Sequence, residues 1–218
     1  MADAIFGSST SVALGGWRGS TTGRAWASYA RFARDVKGGT VPSSVLAMMY
    51  DPEGWEATPL DERRDPIVAI RRFCSLARRL GSFVIVTPHP GLVEVPGTRY
   101  AKESGETREG AYLRYRITYE AARLADVCEV QAQRLQQDLV SYREFVSAAA
   151  SQARAAKSDV LVISGLSTHP GYEATPQMLF DAWQSVRDIV DGHYLSLARL
   201  RHPATAAGFL RMVLETGR

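Results

Sequence analysis

The residues best suited to chemistry stand together in the segment Tyr50-Asp51-Pro52-Glu53-Gly54-Trp55, directly after the apolar run 45–50. The run is typical of a strand, so two carboxylates and two aromatic rings follow a strand end. A carboxyl beside tryptophan is partly desolvated, which moves its pKa towards neutrality, and an aromatic face can stack on a ring-shaped ligand. We predict acid–base chemistry with Glu53 as the principal acid or base and Asp51 setting its charge. The alternative is structural: Asp51 makes a turn and Glu53 caps backbone amides.

Part of this segment recurs. Gly54-Trp55-Glu56-Ala57-Thr58-Pro59 returns as Gly171-Tyr172-Glu173-Ala174-Thr175-Pro176, each time after an apolar run and before a helical pattern. In both copies Thr-Pro predicts a helix start, with Thr58 or Thr175 as the N-cap and the proline at the first helical position. Two strand-to-helix loops of one sequence predict a repeated β/α architecture with its functional loops on one face.

Polar side chains alternate with apolar ones along the fourth predicted strand, 127–132. Glu129, Gln131 and Gln133 are expected to share one face, because successive side chains of a strand point to opposite sides. Such groups are costly to bury unless they hydrogen-bond one another or a ligand. We therefore predict that this face points into the site, where Gln131 and Gln133 orient the ligand. A self-satisfied buried network is the alternative.

Three of the four histidines, His89, His169 and His202, precede a proline and follow a predicted strand. With a carboxylate they would suffice for a divalent metal, but the chain has neither His-x-His nor His-Glu-x-x-His spacing. The X-Pro pairs by themselves only impose an extended or turn conformation. We predict no metal and no cofactor, and assign His169, which lies in the repeated loop, as a second proton carrier.

The Gly/Ser-rich segment 7–20 follows the first predicted strand. It lacks the Lys-Ser/Thr ending of a P-loop and the G-x-G-x-x-G spacing of a dinucleotide fold. We interpret it as a lid over the ligand, with Trp17 and Arg18 as its contact residues. The complete set of predicted ligand contacts is Tyr50, Trp55, Glu129, Gln131, Gln133, Tyr172, His89 and Trp17.

Six β/α units are expected to position these residues. The predicted strands are 4–6, 45–50, 83–86, 127–132, 160–163 and 194–197, and the predicted helices are 24–36, 66–80, 108–124, 142–157, 177–190 and 204–214. Strict alternation of short apolar strands with helices predicts a parallel sheet covered on both faces. We favour a single α/β domain, 1–218, with a small or incomplete TIM-barrel-like (β/α) fold, because the repeat recurs three units apart. An open doubly wound sheet is the alternative.

Composition narrows the class of partner. The 218 residues are 45% hydrophobic, and 26 basic and 23 acidic residues are interleaved to a net charge of +3, without the positive stripe of a nucleic-acid binder. No apolar run approaches the ~18 residues of a membrane span, and the first residues lack the pattern of a secretory signal. We expect a soluble, cytoplasmic protein with a small-molecule substrate and neither a nucleic-acid nor a membrane partner. The oligomeric state stays open.

Four segments carry a family resemblance, namely 50–59, 130–133, 164–168 and 191–194. Through them the chain resembles a family of actinobacterial proteins with a glycoside-hydrolase-like (β/α) barrel, over about residues 45–215, and the Y-D-P-E-x-W segment is the most specific part. The resemblance implies the barrel and places Asp51, Glu53, Gln131 and Gln133 at motif positions. It implies no particular reaction. Many members look secreted, whereas this chain shows no signal, so we expect an intracellular substrate.

The function predicted is that of a cofactor-independent acid–base enzyme acting on a small polar or cyclic substrate, for example a glycoside-hydrolase-like hydrolase. A cyclase, isomerase or lyase of a specialised-metabolite pathway is the second enzymatic interpretation, and it predicts a pocket lined more by Trp and Tyr than by carboxylates. A non-catalytic ligand-binding barrel is the third, and there Glu53 would be fully committed to backbone amides.

Overall fold

The described part of the chain is residues 4–7, 11–12, 23–169, 174–197 and 203–216 of a computed structural model. Its strands are β1 (Ala4–Gly7), β2 (Ser11–Val12), β3 (Gly23–Trp26), β4 (Ala47–Tyr50), β5 (Phe83–Val86), β6 (Val127–Val130), β7 (Leu161–Ser167) and β8 (Gly192–Ser196). Its α-helices are α1 (Tyr29–Lys37), α2 (Leu60–Arg64), α3 (Pro66–Arg79), α4 (Arg108–Arg114), α5 (Ile117–Ala122), α6 (Leu139–Ala156), α7 (Pro176–Val186) and α8 (Pro203–Thr216). Short 3-10 helices occupy Pro90–Glu94 and Gln133–Leu135.

The strands form one sheet in the order β2-β1-β8-β7-β6-β5-β4-β3. All neighbours pair in parallel except β2, which is antiparallel to β1. From β3 to β8 the order follows the chain, and the sheet curls into a half-barrel with helices between its strands. The predicted α/β class is therefore confirmed. A doubly wound sheet reverses its strand order at a switch point, and the described strands show no such reversal, so that alternative is wrong for them.

The two faces of the sheet differ in what covers them. One face packs on the helices and forms the large hydrophobic core. The other face carries a small apolar cluster that consists of Ala47, Met49, Ile85, Val127 and Ile163. Because side chains alternate, the residues two positions further along these strands stay on the same face as the small cluster. This inner face therefore turns from apolar to polar towards the carboxyl ends of the strands.

The predicted helix 24–36 is wrong at its start, because Arg24 to Trp26 belong to strand β3. Apolar residues at helical spacing suggested the longer helix, but pairing with β4 uses the backbone hydrogen bonds of this stretch. Ser28 then begins α1 by accepting a hydrogen bond from the backbone N–H of Arg31. The indole of Trp26 donates to Asp35 at 2.8 Å, which ties β3 to the helix that follows it.

Two further boundaries differ from the prediction. The predicted helix 108–124 is divided into α4 and α5, because Arg116 adopts the left-handed conformation with φ of 54°. Strand β6 ends at Val130, so the segment beyond it is free to turn away from the sheet. Among the helices described above, none combines the length and the apolar character of a membrane span.

Glu62 is a buried carboxylate that joins α1, α2 and β4. Its Oε2 atom accepts hydrogen bonds from the Tyr50 hydroxyl and the Tyr29 N–H, both at 2.7 Å. Its Oε1 atom accepts from the Ala30 N–H at 2.9 Å and from the Ser28 hydroxyl at 3.2 Å. Tyr29 and Ala30 begin α1, so this carboxylate satisfies N–H groups that have no partner inside the helix.

We expect Glu62→Gln to lower the free energy of unfolding by about 2–4 kcal/mol, because the amide nitrogen would face donors that now share one anion. The measurement is urea denaturation followed by circular dichroism. Glu56→Gln, which changes an exposed glutamate of the same loop region, is the matched control and should stay within about 0.5 kcal/mol of the parent. Equal losses in the two variants would contradict the anchoring role.

Candidate functional site

A pocket of about 570 Å³ opens at the carboxyl ends of the strands, lined by the segments that follow β4, β5 and β6 and by the ends of β7 and β8. This is the edge at which α/β proteins build their sites. Six of the residues selected from the sequence line it. They are Glu53, Trp55, His89, Gln131, Gln133 and His169.

The loop that carries Glu53 is held by Thr58. The Thr58 hydroxyl accepts a hydrogen bond from the Glu53 N–H at 2.8 Å and donates to the carbonyl of Ala27 at 2.7 Å. The prediction that Thr58 caps a helix is therefore wrong, since α2 begins after Pro59 without any side-chain cap. The same Thr-Pro sequence therefore has a different role in the first copy of the repeat, where the Thr58 hydroxyl links two loops.

In the second copy the predicted cap is confirmed, because Thr175 accepts a hydrogen bond from the Met178 N–H and Pro176 is the first residue of α7. The preceding part of this copy, 171–173, lies outside the described residues, and so does the predicted ligand contact Tyr172. The same holds for Trp17 and Arg18 of the predicted lid and for His202.

Gln131 connects the Glu53 loop to the end of β5. Its amide nitrogen donates to Asp51 Oδ1 at 2.8 Å and to the carbonyl of Thr87 at 2.6 Å. The Thr87 hydroxyl donates to the same Asp51 oxygen at 2.6 Å. Gln131 lines the pocket and Asp51 does not, and the amide oxygen of Gln131 accepts no hydrogen bond from the described residues.

Gln133 covers a second buried carboxyl. Its amide nitrogen donates to Glu129 Oε1 at 3.3 Å, although Gln133 begins a 3-10 helix rather than continuing β6. Gly165 of β7 leaves room for this pair, because a Cβ atom there would lie 2.4 Å from Gln133 Nε2 and 2.7 Å from Glu129 Oε1. Glu129, Gln131 and Gln133 were predicted to share one face of a strand, but β6 ends at Val130, and of the three only Gln131 and Gln133 line the pocket. Their amides bond the carboxyls, so the network is in part self-satisfied.

Three carboxyl groups at this end of the sheet, those of Asp51, Glu53 and Glu129, have raised pKa values. Burial, and then the charge of Asp51, raises the pKa of Glu53 to about 8, while a hydrogen bond from Trp55 acts in the opposite direction. Burial also raises the pKa of Asp51, against hydrogen bonds that lower it. The pKa of Glu129 rises well above its usual value through burial and the charges of Asp51 and Glu53. Glu53 is therefore mostly protonated at neutral pH, within a coupled set of acids.

Two glycines bring His89 to the Glu53 loop. A Cβ atom on Gly54 would lie 3.0 Å from the carbonyl oxygen of Gly91, so the two loops approach backbone to backbone. The backbone N–H of His89 donates to the carbonyl of Pro52 at 3.1 Å, and the ring atom Nδ1 of His89 lies 3.8 Å from Glu53 Oε2. The site thus joins residues from the ends of β4 and β5.

His89 is a neutral hydrogen-bond donor in this site. Its Nδ1 atom accepts from the Gly91 N–H at 2.9 Å, which leaves the ring proton on Nε2. Burial, followed by the charges of Arg108 and Arg134, lowers the pKa of His89 to about 4.

His169 is exposed at the pocket, and its backbone N–H donates to Ser167. Within the described ranges, no three His, Cys, Asp or Glu side chains are grouped to hold a metal ion.

Tyr50 does not contact the pocket, and its predicted role in ligand binding is wrong. It is fully buried on the helix side of β4, where it stacks on Phe73 with ring centroids 5.0 Å apart and donates to Glu62. Alternation along the strand puts Asp51 on the inner face and Tyr50 on the other. Trp55, in contrast, is 58% exposed at the pocket rim, where a ring can meet a ligand.

Several lining residues were not predicted from the sequence, notably Arg108, Glu109 and Arg134 together with Ser167 and Ser196. Arg134 directly follows Gln133, so the strand-end rule that selected Gln133 could have found it. Arg108 and Glu109 begin α4 and reach the pocket only because the long loop after β5 folds back over the strand ends. No local pattern marks them.

The sequence matches no protein-family model, and a search among curated proteins finds no similar sequence. The chemistry of the site is therefore inferred from its geometry.

Glu53→Gln is expected to stabilise the protein at alkaline pH. A carboxyl whose pKa rises from 4.5 to about 8 on folding contributes stability that is present below pH 4.5 and lost as the pH passes 8. Glutamine cannot ionise, so the advantage of the variant should grow between pH 5 and 9 by on the order of 2–4 kcal/mol. Denaturant unfolding across this range tests it. The Glu56→Gln control should show no such growth, and parallel curves for parent and Glu53→Gln would refute the shifted pKa.

Gly165→Ala should cost about 1–3 kcal/mol of folding free energy, because the new methyl group collides with the amide of Gln133. Gln133→Ala removes that amide, so the same substitution should cost clearly less in its background. A double-mutant cycle measured by urea denaturation gives the coupling. Equal costs in the two backgrounds would show that Gly165 and Gln133 do not constrain each other.

Proposed function

We propose that this protein is an acid–base enzyme on a (β/α) barrel, which acts on a small polar or cyclic substrate held in the pocket. One observation carries the proposal: Glu53 lines the pocket and its pKa is raised to about 8. An acid of this strength is mostly protonated at neutral pH and returns easily to its anion. It can therefore give a proton to a leaving group and recover one within each turnover.

The neighbouring groups divide the remaining work. Asp51 and Glu129 are bonded by the amides of Gln131 and Gln133 and do not line the pocket, and the charge of Asp51 raises the pKa of Glu53. The amide groups of Gln131 and Gln133 are suited to substrate hydroxyls, because each group combines donors with an acceptor. Trp55 offers a face to a ring. His169, exposed at the same pocket, is the second proton carrier in this proposal.

Hydrolysis of a glycoside-like bond is the first candidate reaction. Such reactions need a protonated carboxyl of raised pKa and a further carboxylate. The described lining carries two carboxyls, Glu53 and Glu109, and one aromatic ring apart from the histidines, that of Trp55. This composition favours hydrolysis over the aromatic pocket expected of a cyclase or isomerase.

A purely ligand-binding barrel has less support. That interpretation required the Glu53 carboxylate to be committed to backbone amides. Among the described residues no backbone N–H donates to it, and the side chain of Trp55 is its hydrogen-bond partner. Glu53 also keeps about a fifth of its side chain exposed, with a value of 21%, so a ligand can reach it.

The decisive experiment screens the purified protein against chromogenic glycosides and then compares variants on the best substrate. Glu53→Gln should reduce turnover by ~10²-fold or more with substrate affinity retained. Glu56→Gln, in the same loop region but exposed, should keep full turnover. Turnover that survives Glu53→Gln would remove Glu53 from the mechanism.

The pH profile gives a second test of the same residue. Because the protonated form of Glu53 acts, the rate should fall as the pH rises through about 8. Asp51→Asn removes a charge that raises this pKa but keeps an oxygen for Thr87 and Gln131, so the alkaline limb should move to lower pH. An unmoved limb would show that Asp51 does not set the acidity of Glu53.

A further inference from the structure

Arg108 stands at the pocket with its guanidinium held in place. Glu94 accepts hydrogen bonds from its Nε atom, at 2.7 Å, and from its Nη2 atom. Only 19% of the Arg108 side chain is exposed, and its Nη1 atom bonds no described residue. The pairing with Glu94 therefore fixes the group while leaving donor capacity for a ligand in the pocket that Arg108 lines.

Arg134 reaches the same pocket from the segment after β6. It is exposed, and within the described part of the chain no carboxylate pairs with it. Arg108 and His89 are also close to each other. A Cβ atom on Gly91 would lie 2.7 Å from His89 Nδ1 and 3.9 Å from the guanidinium carbon of Arg108. The charges of Arg108 and Arg134 both act on His89, so three donor groups lie near one another in the lining of one pocket.

The carboxyls nearby do not cancel this donor cluster. Glu53 is mostly protonated at neutral pH, and Glu94 is already committed to Arg108. His89 is neutral and presents its Nε2–H as a donor. Glu109 is the one other acidic residue among the described lining, and it follows Arg108 directly in α4. Its negative charge should weaken the binding of an anion here, so removing that charge should strengthen the binding.

We propose that Arg108, Arg134 and His89 form a subsite for an anionic group of the substrate, a phosphate or a carboxylate. The substrate class is then a phosphorylated or acidic sugar-like molecule, with its neutral part against the glutamines and its anion at the arginines. Naming the whole substrate rests on the proposed function. Anion binding by the subsite does not, because it requires no proton transfer by Glu53.

The test titrates isotopically labelled protein at low ionic strength with inorganic phosphate and, separately, with acetate. Nuclear magnetic resonance follows the Arg108 Nε–H and His89 ring signals. We expect a saturable shift of these signals with at least one anion and loss of affinity as salt is added. Saturation by phosphate alone indicates a phosphorylated substrate, and saturation by acetate alone a carboxylate.

Arg134→Gln should weaken anion binding by about tenfold or more, since it removes a charge-assisted hydrogen bond. Glu109→Gln should strengthen anion binding. Arg71→Gln, which changes an exposed arginine of α3, is the matched control and should leave the affinity unchanged. Glu53→Gln should keep anion binding even if turnover is lost, so the two proposals fail separately. No saturable shift with either anion, or a shift that Arg134→Gln leaves intact, overturns the subsite.

Discussion

The register of three parallel strands is the constraint on which the site depends. Tyr50 pairs with Val86, and Val86 pairs with Cys128. The next residue of each chain segment, which is Asp51, Thr87 or Glu129, therefore lies at the same level of the sheet. Alternation of side chains puts all three on the inner face, directly above the small apolar cluster. A slip of one residue in any strand would turn its polar group towards the helices. A polar layer on an apolar floor is the result.

This layer accounts for the acidity of Glu53. Removal from water disfavours the charged form of each carboxyl, and proximity lets the charge on one oppose ionisation of the next. The amides of Gln131 and Gln133 donate to two of these carboxyls and partly offset the effect. The cost of ionising these buried carboxyls lowers the stability of the protein at alkaline pH. It also raises the pKa of Glu53, which lines the pocket. Such conflict between stability and local arrangement is typical of functional sites.

The rim of the pocket is built by loops rather than by strands. Gly54 and Gly91 allow two loops to approach backbone to backbone, and this approach brings His89 to Glu53. The loop after β5 then returns to deliver Arg108, which Glu94 fixes in place. Loops tolerate change more readily than strands, so the rim is the part of this site where specificity is most easily set.

The sequence by itself determined the features that depend on local periodicity. Alternation of strands and helices, the Glu53 loop at a strand end and the inward side of Glu129 follow from the period of two and the strand-end rule, whereas Gln131 and Gln133 reach the site from beyond the end of β6. Tertiary structure decided the rest. It made a strand of the stretch 23–26, because pairing with β4 outweighed helical spacing, and it turned Tyr50 to the helix side. It also brought Arg108 into the pocket, because nearness through a long loop depends on the path of the folded chain and leaves no trace in local spacing.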